Sequence, residues 1–249
     1  MNPLKILAIF LLVLLFSALL PAQTEEKNHA KFSFYKERVY SQFIVAGPQN
    51  MAGMNIPASI RYFHDSLMKW CDATVELAYY MIFLSTEYKI AKTNHEQTSE
   101  TIQKLWWALD AFERLDMNAE SCFRENKNIY PHDLNGFFIR DDVTPQILRY
   151  QNGKLTTDSL KRKIAAIYSD YTSPNLYDKE MSKDQVWSLL LGFASIIHFI
   201  DDSCHVPGLK NQLESIPDRA EKNVARLIKY LQGKQRSEER RVGKECRSR

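Results

Sequence analysis

The stretch that most constrains the fold is Met181–Asp202, where apolar and small polar residues recur at helical spacing. At an advance of about 100° per residue, they separate into two arcs of one helix. The apolar arc contains Val186, Leu189, Leu190, Phe193, Ala194, Ile196, Ile197 and Ile200, and the other contains Asp184, Gln185, Ser188, Gly192, Ser195, His198 and Asp202. A capping box formed by Ser182 and Gln185 fixes the start of the helix. The small, mostly uncharged polar arc predicts a helix that borders a cavity or a close neighbour on that side.

Residues 1–22 have the pattern of a secretory signal peptide. Lys5 precedes an apolar run from Ile6 to Leu20, and the small residue Ala22 stands at the expected cleavage point. The run is shorter than the roughly 20 apolar residues that a membrane span needs. We therefore predict a periplasmic or secreted protein with no membrane span after cleavage, and an uncleaved N-terminal anchor is the alternative.

The last fourteen residues, Arg236–Arg249, show no apolar periodicity. They resemble the translation of a common short-read sequencing adapter, which implies that the native reading frame was cut near Gln235. A solvated basic tail is the alternative interpretation. The segment has six basic and three acidic residues, so it accounts for the whole formal net charge of +3. The rest of the chain is neutral overall and gives no case for nucleic-acid binding.

The remaining cysteines are too few for a disulfide scaffold. Without the tail there are three, Cys71, Cys122 and Cys204, and their spacing is too wide for a structural zinc knuckle. An odd number in an oxidising compartment allows one disulfide and one free thiol, and the sequence leaves the pairing open.

Apolar residues at three-and-four spacing predict four further helices, at about residues 59–90, 99–117, 157–171 and 218–231. The first two have suitable lengths for an antiparallel hairpin. Residues 118–151 interrupt this pattern with Pro, Asn and Gly, and we expect there a long excursion with a short β-ribbon at Gly136–Ile139. No strong strand alternation is present. The predicted fold class is therefore all-α, built from antiparallel helical hairpins.

The predicted domain organisation has four parts. After the signal peptide, residues 23–57 form an extended N-terminal segment and a linker rich in Gly, Pro and Asn. Residues 58–235 form the helical domain, and residues 236–249 are a non-native tail.

Three stretches together resemble uncharacterised exported bacterial proteins: AFERLD at 111–116, GFFIRDDV at 136–143 and MSKDQ at 181–185. The helical pattern of those proteins is similar to the (α/α) toroids of six-hairpin glycosidases. The resemblance implies a partial, toroid-like domain truncated at its C-terminus. It also implies a site at the rim where inner helices begin, with carboxylates on loops and helix N-termini. No complete glycosidase motif matches residue by residue, so fold is implied more firmly than activity.

Three carboxylates are the catalytic candidates. Asp141 or Asp142 could supply a general acid or base with Asp184 as the partner, because glycoside hydrolysis needs two carboxyl groups about 5–10 Å apart. Arg140, Gln185 and Trp187 are the candidates for substrate binding. The alternative is structural: Arg140 pairs with one Asp, another caps a turn, and Asp184 interacts with the helix dipole.

A metal site is a weaker alternative. His198, Asp202 and His205 are spaced i, i+4 and i+7, which would place them on one face if the helix continued that far. HFIDDSCHVP also resembles the H-x-x-x-D segment of zinc-dependent phospholipases and nucleases, but its spacing departs from theirs by one residue. The structural alternative is a half-buried His at a helix end beside solvated carboxylates.

Aromatic residues could stack on sugar rings, although at helical spacing they are more often core residues. The candidates are Tyr79, Tyr80, Trp106, Trp107 and Trp187. By fold analogy we predict an exported protein that binds or processes glycans, with no cofactor. A non-catalytic envelope scaffold or binding module and a zinc-dependent hydrolase are the alternatives, and the oligomeric state stays open.

Overall fold

The computed structural model describes residues 26–44, 56–57, 59–61, 67–123, 133–144, 166–206 and 214–245. The described chain is mainly helical, which confirms the predicted all-α class. It divides into two compact units, residues 1–42 and 43–249. The predicted signal peptide lies outside the described residues. Among those described, no helix is long and apolar enough to cross a membrane.

The N-terminal unit contains a helix where the sequence predicted an extended segment. Helix α1 covers residues 26–38 and continues into a wider π-helical turn at Val39–Phe43. Phe34 and Tyr35 contact each other edge to face at 5.4 Å between ring centroids, and both are exposed. Residues 23–25 and most of the predicted linker lie outside the described residues, so the correction concerns residues 26–31. For Phe32–Phe43 the sequence leaves a short helix or a strand open, and the structure shows a helix.

The described part of the larger unit has four long helices and one short one. They are α2 (Ala73–Thr93), α3 (Ser99–Met117), α4 (Ala119–Cys122), α5 (Lys183–Phe199) and α6 (Ile216–Glu245). The bounds of α3 confirm the predicted second helix. The capping box predicted at the start of α5 is present, with the Ser182 amide donating to Gln185 Oε1 at 3.0 Å. Helix α6 extends beyond the predicted 218–231 at both ends.

A small three-stranded sheet, with two strands before α2 and one between α4 and α5, corrects two predictions. Its strands are β1 (Ser59–Arg61), β2 (Leu67–Lys69) and β3 (Ala166–Tyr168). Strand β2 pairs antiparallel with β1 and parallel with β3. The helix predicted from residue 59 therefore begins only at Ala73, because Asp72 has a left-handed backbone with φ 56°. The helix predicted at 157–171 is contradicted at β3, and its part up to residue 165 lies outside the described residues.

Two helical hairpins, α2–α3 and α5–α6, lie side by side and have the same orientation. Gln185 Nε2 donates to Asp72 Oδ1 at 2.9 Å at one end of the α2–α5 pair, and Tyr88 donates to Asp201 Oδ2 at 2.9 Å at the other. Both contacts join residues 113 apart in the chain, so α2 and α5 are parallel. Arg219 pairs with Asp110 and Arg226 with Asp116, so α3 and α6 are parallel as well.

Gly192 explains how closely α2 and α5 approach. A Cβ at this position would lie 3.1 Å from both the Cα and the carbonyl oxygen of Ala78. The predicted close neighbour of the small-residue arc is therefore helix α2.

The core lies between these helices and the described part of the excursion, residues 133–144. Phe112 of α3 packs edge to face on Phe193 of α5 at 5.0 Å and on Phe138 of the excursion at 5.7 Å. Ile139 forms one isolated bridge with Glu180, so the β-ribbon predicted at Gly136–Ile139 is wrong. Gly136 has φ 89°, and a side chain there would overlap the Arg226 carbonyl of α6. These contacts fix the Arg140-Asp141-Asp142 segment beside the start of α5.

Candidate functional site

The parallel arrangement places the N-terminal ends of α2 and α5 at one edge of the molecule. We call Asp72, Arg140, Asp170 and Gln185 the rim network. The Arg140 Nη1 lies 3.3 Å from Asp72 Oδ1 and 3.8 Å from Asp170 Oδ2. The Asp72 amide donates to Asp170 Oδ2 at 3.1 Å. Two members of this network, Asp72 and Asp170, are residues that sequence analysis did not select.

Asp141 is a buried structural carboxylate with 1% of its surface exposed. Its Oδ1 accepts from the Val143 amide at 2.9 Å and the Ser169 hydroxyl at 2.6 Å. Its Oδ2 accepts from the amides of Asp170 and Tyr171 at 2.9 and 3.3 Å. Burial raises the pKa of Asp141 to about 7 against the lowering effect of these donors. A raised pKa suits a general acid, but both oxygens are occupied by the protein and turned away from solvent.

Asp142 is held by α3. Arg114 donates from Nε to Asp142 Oδ2 at 2.6 Å and from a second nitrogen to Oδ1 at 3.1 Å. A two-pronged pair of this kind is strong and fixed in orientation. Asp142 therefore anchors the excursion to α3. The structural alternative predicted an ion pair for one of the two carboxylates but with Arg140, whereas the partner is Arg114. The acid–base assignment of Asp141 and Asp142 is not supported by this geometry.

Asp184 differs from both because it is exposed in the first turn of α5. Its carboxylate accepts a hydrogen bond from the Ser182 hydroxyl. This hydrogen bond is the main reason that the pKa of Asp184 is lowered, with smaller help from nearby backbone amides and Arg140. Asp184 is therefore ionised at neutral pH and cannot be the protonated acid of a hydrolytic pair.

Arg140 and Gln185, the candidate substrate-binding residues, are largely engaged by the protein. Arg140 Nε donates to the Glu180 carbonyl at 2.7 Å, in addition to its contacts with Asp72 and Asp170. Gln185 is buried, and its amide spans the Ser182 backbone and the Asp72 carboxylate. Both residues hold the rim network together.

Trp187, the third candidate for binding, faces solvent with 71% of its surface exposed. Tyr177, which lies on the 3-10 turn Leu176–Asp178 before α5, is 79% exposed. Sequence analysis missed Tyr177, although its position in a short polar loop before a capping box was a usable signal. Of the other aromatic candidates, Tyr79 is exposed, Tyr80 is buried, and the ring of Trp106 lies 4.0 Å from the Arg219 guanidinium.

The three residues of the metal alternative do not converge. Helix α5 ends at Phe199, and Ile200 has an extended backbone, so the i, i+4, i+7 face predicted through Asp202 and His205 is interrupted. His198, Asp202 and His205 are all exposed. In the part of the chain that the structure describes, no group of three or more His, Cys, Asp and Glu residues could hold a metal ion.

Cys204 lies at the opposite end of the α2–α5 pair from the rim network. Its sulfur is 3.1 Å from the Tyr88 hydroxyl, which donates to Asp201. Among the described residues, Cys71, Cys122 and Cys204 are not joined by disulfide bonds. Burial raises the pKa of Cys71 to about 12, so this thiol is a poor nucleophile at neutral pH.

Two surface grooves are separate from the rim network. One has a volume of about 610 Å³ and lies between Asn135 and the α6 residues Arg226 and Tyr230. The other, of about 380 Å³, lies along the first turns of α6 beside Glu214 and Lys222. The rim residues line neither of these two grooves.

Comparison with protein-family models, curated proteins and solved structures finds no match. The case for a function therefore depends on the geometry of the chain itself.

Proposed function

We propose that this chain is an exported helical protein that binds glycan chains at the α5 start and does not hydrolyse them. The observation that carries the proposal is the exposure of Trp187 within one turn of Asp184, at the edge that also holds Arg140. An exposed indole face beside polar groups offers the apolar contact and the hydrogen bonds that a sugar ring requires.

The state of the carboxylates favours binding over hydrolysis. Hydrolysis needs one protonated and one ionised carboxyl group facing the same bond. Asp141 is enclosed by four donors, Asp142 is paired with Arg114, and Asp184 is ionised. Of these three candidates, Asp184 is the one whose carboxylate faces solvent, and it can accept hydrogen bonds from sugar hydroxyls.

The arrangement of the helices supports the toroid-like part of the proposal. In an (α/α) array, successive hairpins lie side by side with their inner helices parallel and their outer helices parallel. The pairs α2–α5 and α3–α6 have this relation over two hairpins. Two hairpins do not close a ring, so the analogy concerns how neighbouring hairpins pack.

The test is binding of soluble cellohexaose and chitohexaose by calorimetry, with cellulose, chitin and peptidoglycan in sedimentation assays. Because the indole would supply stacking area, we expect Trp187→Ala to weaken binding by about tenfold or more. Tyr177→Ala should weaken it less. Tyr35→Ala is the matched control, since it removes an exposed aromatic ring from the other compact unit.

Turnover is measured on the same polymers by release of reducing ends. We expect none from the unaltered chain. Hydrolysis that is lost in Asp184→Asn would contradict binding without catalysis and restore the enzymatic hypothesis. If no glycan binds, or if Trp187→Ala binds as well as the unaltered chain, the non-catalytic scaffold is the better hypothesis.

A further inference from the structure

The outer surface shared by α2 and α5 is a second feature, separate from the rim network. We define the α2–α5 face by Tyr79, Ile82 and Lys89 on α2 and Asp184, Leu191 and Ser195 on α5. On α2, Ala78 turns toward Gly192 of α5 and Leu77 is fully buried. Steps of about 100° then place Tyr79 and Ile82 on the outer side of the helix pair.

The same reasoning orients α5. Gly192 points toward α2 and Phe193 toward Phe112 in the core. Leu191 and Ser195 therefore lie on the outer side, and Asp184 lies there two turns before Leu191. Because α2 and α5 are parallel, their outer sides form one continuous face.

The middle of the face is largely apolar, and the hydroxyl groups of Ser195 and Thr86 are hydrogen-bonded within their own helices. Tyr79 is 58% and Leu191 56% exposed. The Ser195 hydroxyl donates to the Leu191 carbonyl at 3.0 Å, and the nearby Thr86 hydroxyl donates to the Ile82 carbonyl at 2.8 Å. Since these hydroxyls bond within their own helices, they present mainly carbon to the outside. Large side chains exposed in such a setting are typical of an interaction surface.

The two ends of the face carry opposite charges. Asp184 stands at the start of α5, and Lys89 is exposed near the end of α2. Residues of α2 and α5 that face each other differ by 113 in number, so Asp184 is level with position 71, two residues before α2 begins. The charges of Asp184 and Lys89 are therefore about 27 Å apart along the helix axes. Their midpoint is level with position 80, next to Tyr79.

We propose that the α2–α5 face is the interface of a homodimer in which two copies pack antiparallel about a two-fold axis near Tyr79. A two-fold axis brings Asp184 of each copy opposite Lys89 of the other, because a two-fold interface is self-complementary. The tyrosine and leucine side chains of the two copies meet in the middle. Antiparallel packing also sets the N-terminal ends of the helices against the C-terminal ends of the partner helices, which the helix dipoles favour.

The size of the face predicts a weak dimer. Two helices about 30 Å long and about 10 Å apart offer roughly 500–600 Å² per copy. The total of about 1,000–1,200 Å² is at the lower limit for a specific interface. We therefore expect a reversible equilibrium that depends on protein concentration. This inference does not rest on glycan binding, but Asp184 belongs to both proposed surfaces, so glycan binding and dimer formation would compete.

The first experiment is sedimentation equilibrium of the purified full chain, at concentrations up to about 200 µM, where an interface of this size should be populated. We expect a monomer–dimer equilibrium, and Leu191→Asp should raise its dissociation constant by about thirtyfold or more. Ile228→Asp is the matched control, because it places a carboxylate at a similarly exposed apolar position on α6. It should leave the equilibrium unchanged.

A charge exchange separates loss of the interface from loss of folding. Asp184→Lys and Lys89→Asp should each weaken the dimer by about five- to tenfold, since like charges would then face each other. The double variant should recover most of this loss. A chain that stays monomeric throughout the range, a control variant as weak as Leu191→Asp, or a double variant without recovery would overturn the proposal.

Discussion

Two regions at the same edge of the molecule carry acidic residues in opposite environments. In the excursion, Asp141 and Asp142 are enclosed by donors from Ser169, which follows β3, from the 3-10 turn Asp170–Thr172 and from α3. At the start of α5, Asp184 is exposed beside Trp187. The difference shows that the first region holds the fold together and that the second is available to a ligand. The predictions below test this division, beginning with the largest effect.

Removal of the Asp141 carboxylate should have the largest effect. Asp141→Ala leaves three backbone amides without their acceptor and the Ser169 hydroxyl with the Val143 carbonyl alone, so we expect a loss of about 3–5 kcal/mol in the free energy of unfolding. Urea denaturation measures it. Asp184→Ala is the matched comparison and should lose only about 0.5 kcal/mol, because it removes a single exposed charge near a helix N-terminus. Equal losses would abolish the distinction between the two regions.

The enclosed carboxylates should also make stability depend on pH. Burial raises the pKa of Asp141 to about 7 and that of Asp116 to about 6, from an ordinary value of 3.8. The folded protein then binds more protons than the unfolded chain between about pH 4 and 7, so the free energy of unfolding falls as pH rises through this window. At about 1.4 kcal/mol for each pH unit between the folded and unfolded pKa, the two groups together should lose on the order of 7 kcal/mol.

Asp116→Asn tests the lower half of that window. Oδ1 of Asp116 already accepts from both the Asn135 and the Gly136 amides, so an asparagine can keep these bonds without titrating. Thermal unfolding followed from pH 4 to 8 should show a shallower decline in this variant, mainly below about pH 6. An unchanged profile would mean that Asp116 is ionised across the range.

A smaller effect is expected at the contact between the two parallel helices. Gly192→Val would place a branched side chain against the Ala78 backbone, which cannot move without separating α2 from α5. We expect a loss of about 2 kcal/mol in the free energy of unfolding. Gly233→Val is the control, since nothing lies within 4 Å of a side chain at that position. A tolerated Gly192→Val would indicate that the helix pair is loosely packed.

The helices were predictable because their signals are local. The apolar spacing of Ser99–Met117 and the capping box before α5 depend on residues within one or two turns of each other. The start of α2 was placed too early because the segment before Asp72 is also apolar, and its pairing with β3 involves residues about 100 positions away. The spacing of apolar residues within one segment does not reveal pairing with a distant strand.

The sequence alone determined the helical class, the α5 helix and the small residue that lets it approach a neighbour. Only the tertiary structure decided which carboxylates are enclosed and which face solvent. Three of the four donors to Asp141 are 28 to 30 residues away, and Asp142 pairs with Arg114, which is 28 residues away. Residue type sets the charge that a side chain can carry, whereas burial and distant partners determine its pKa and its access to a ligand.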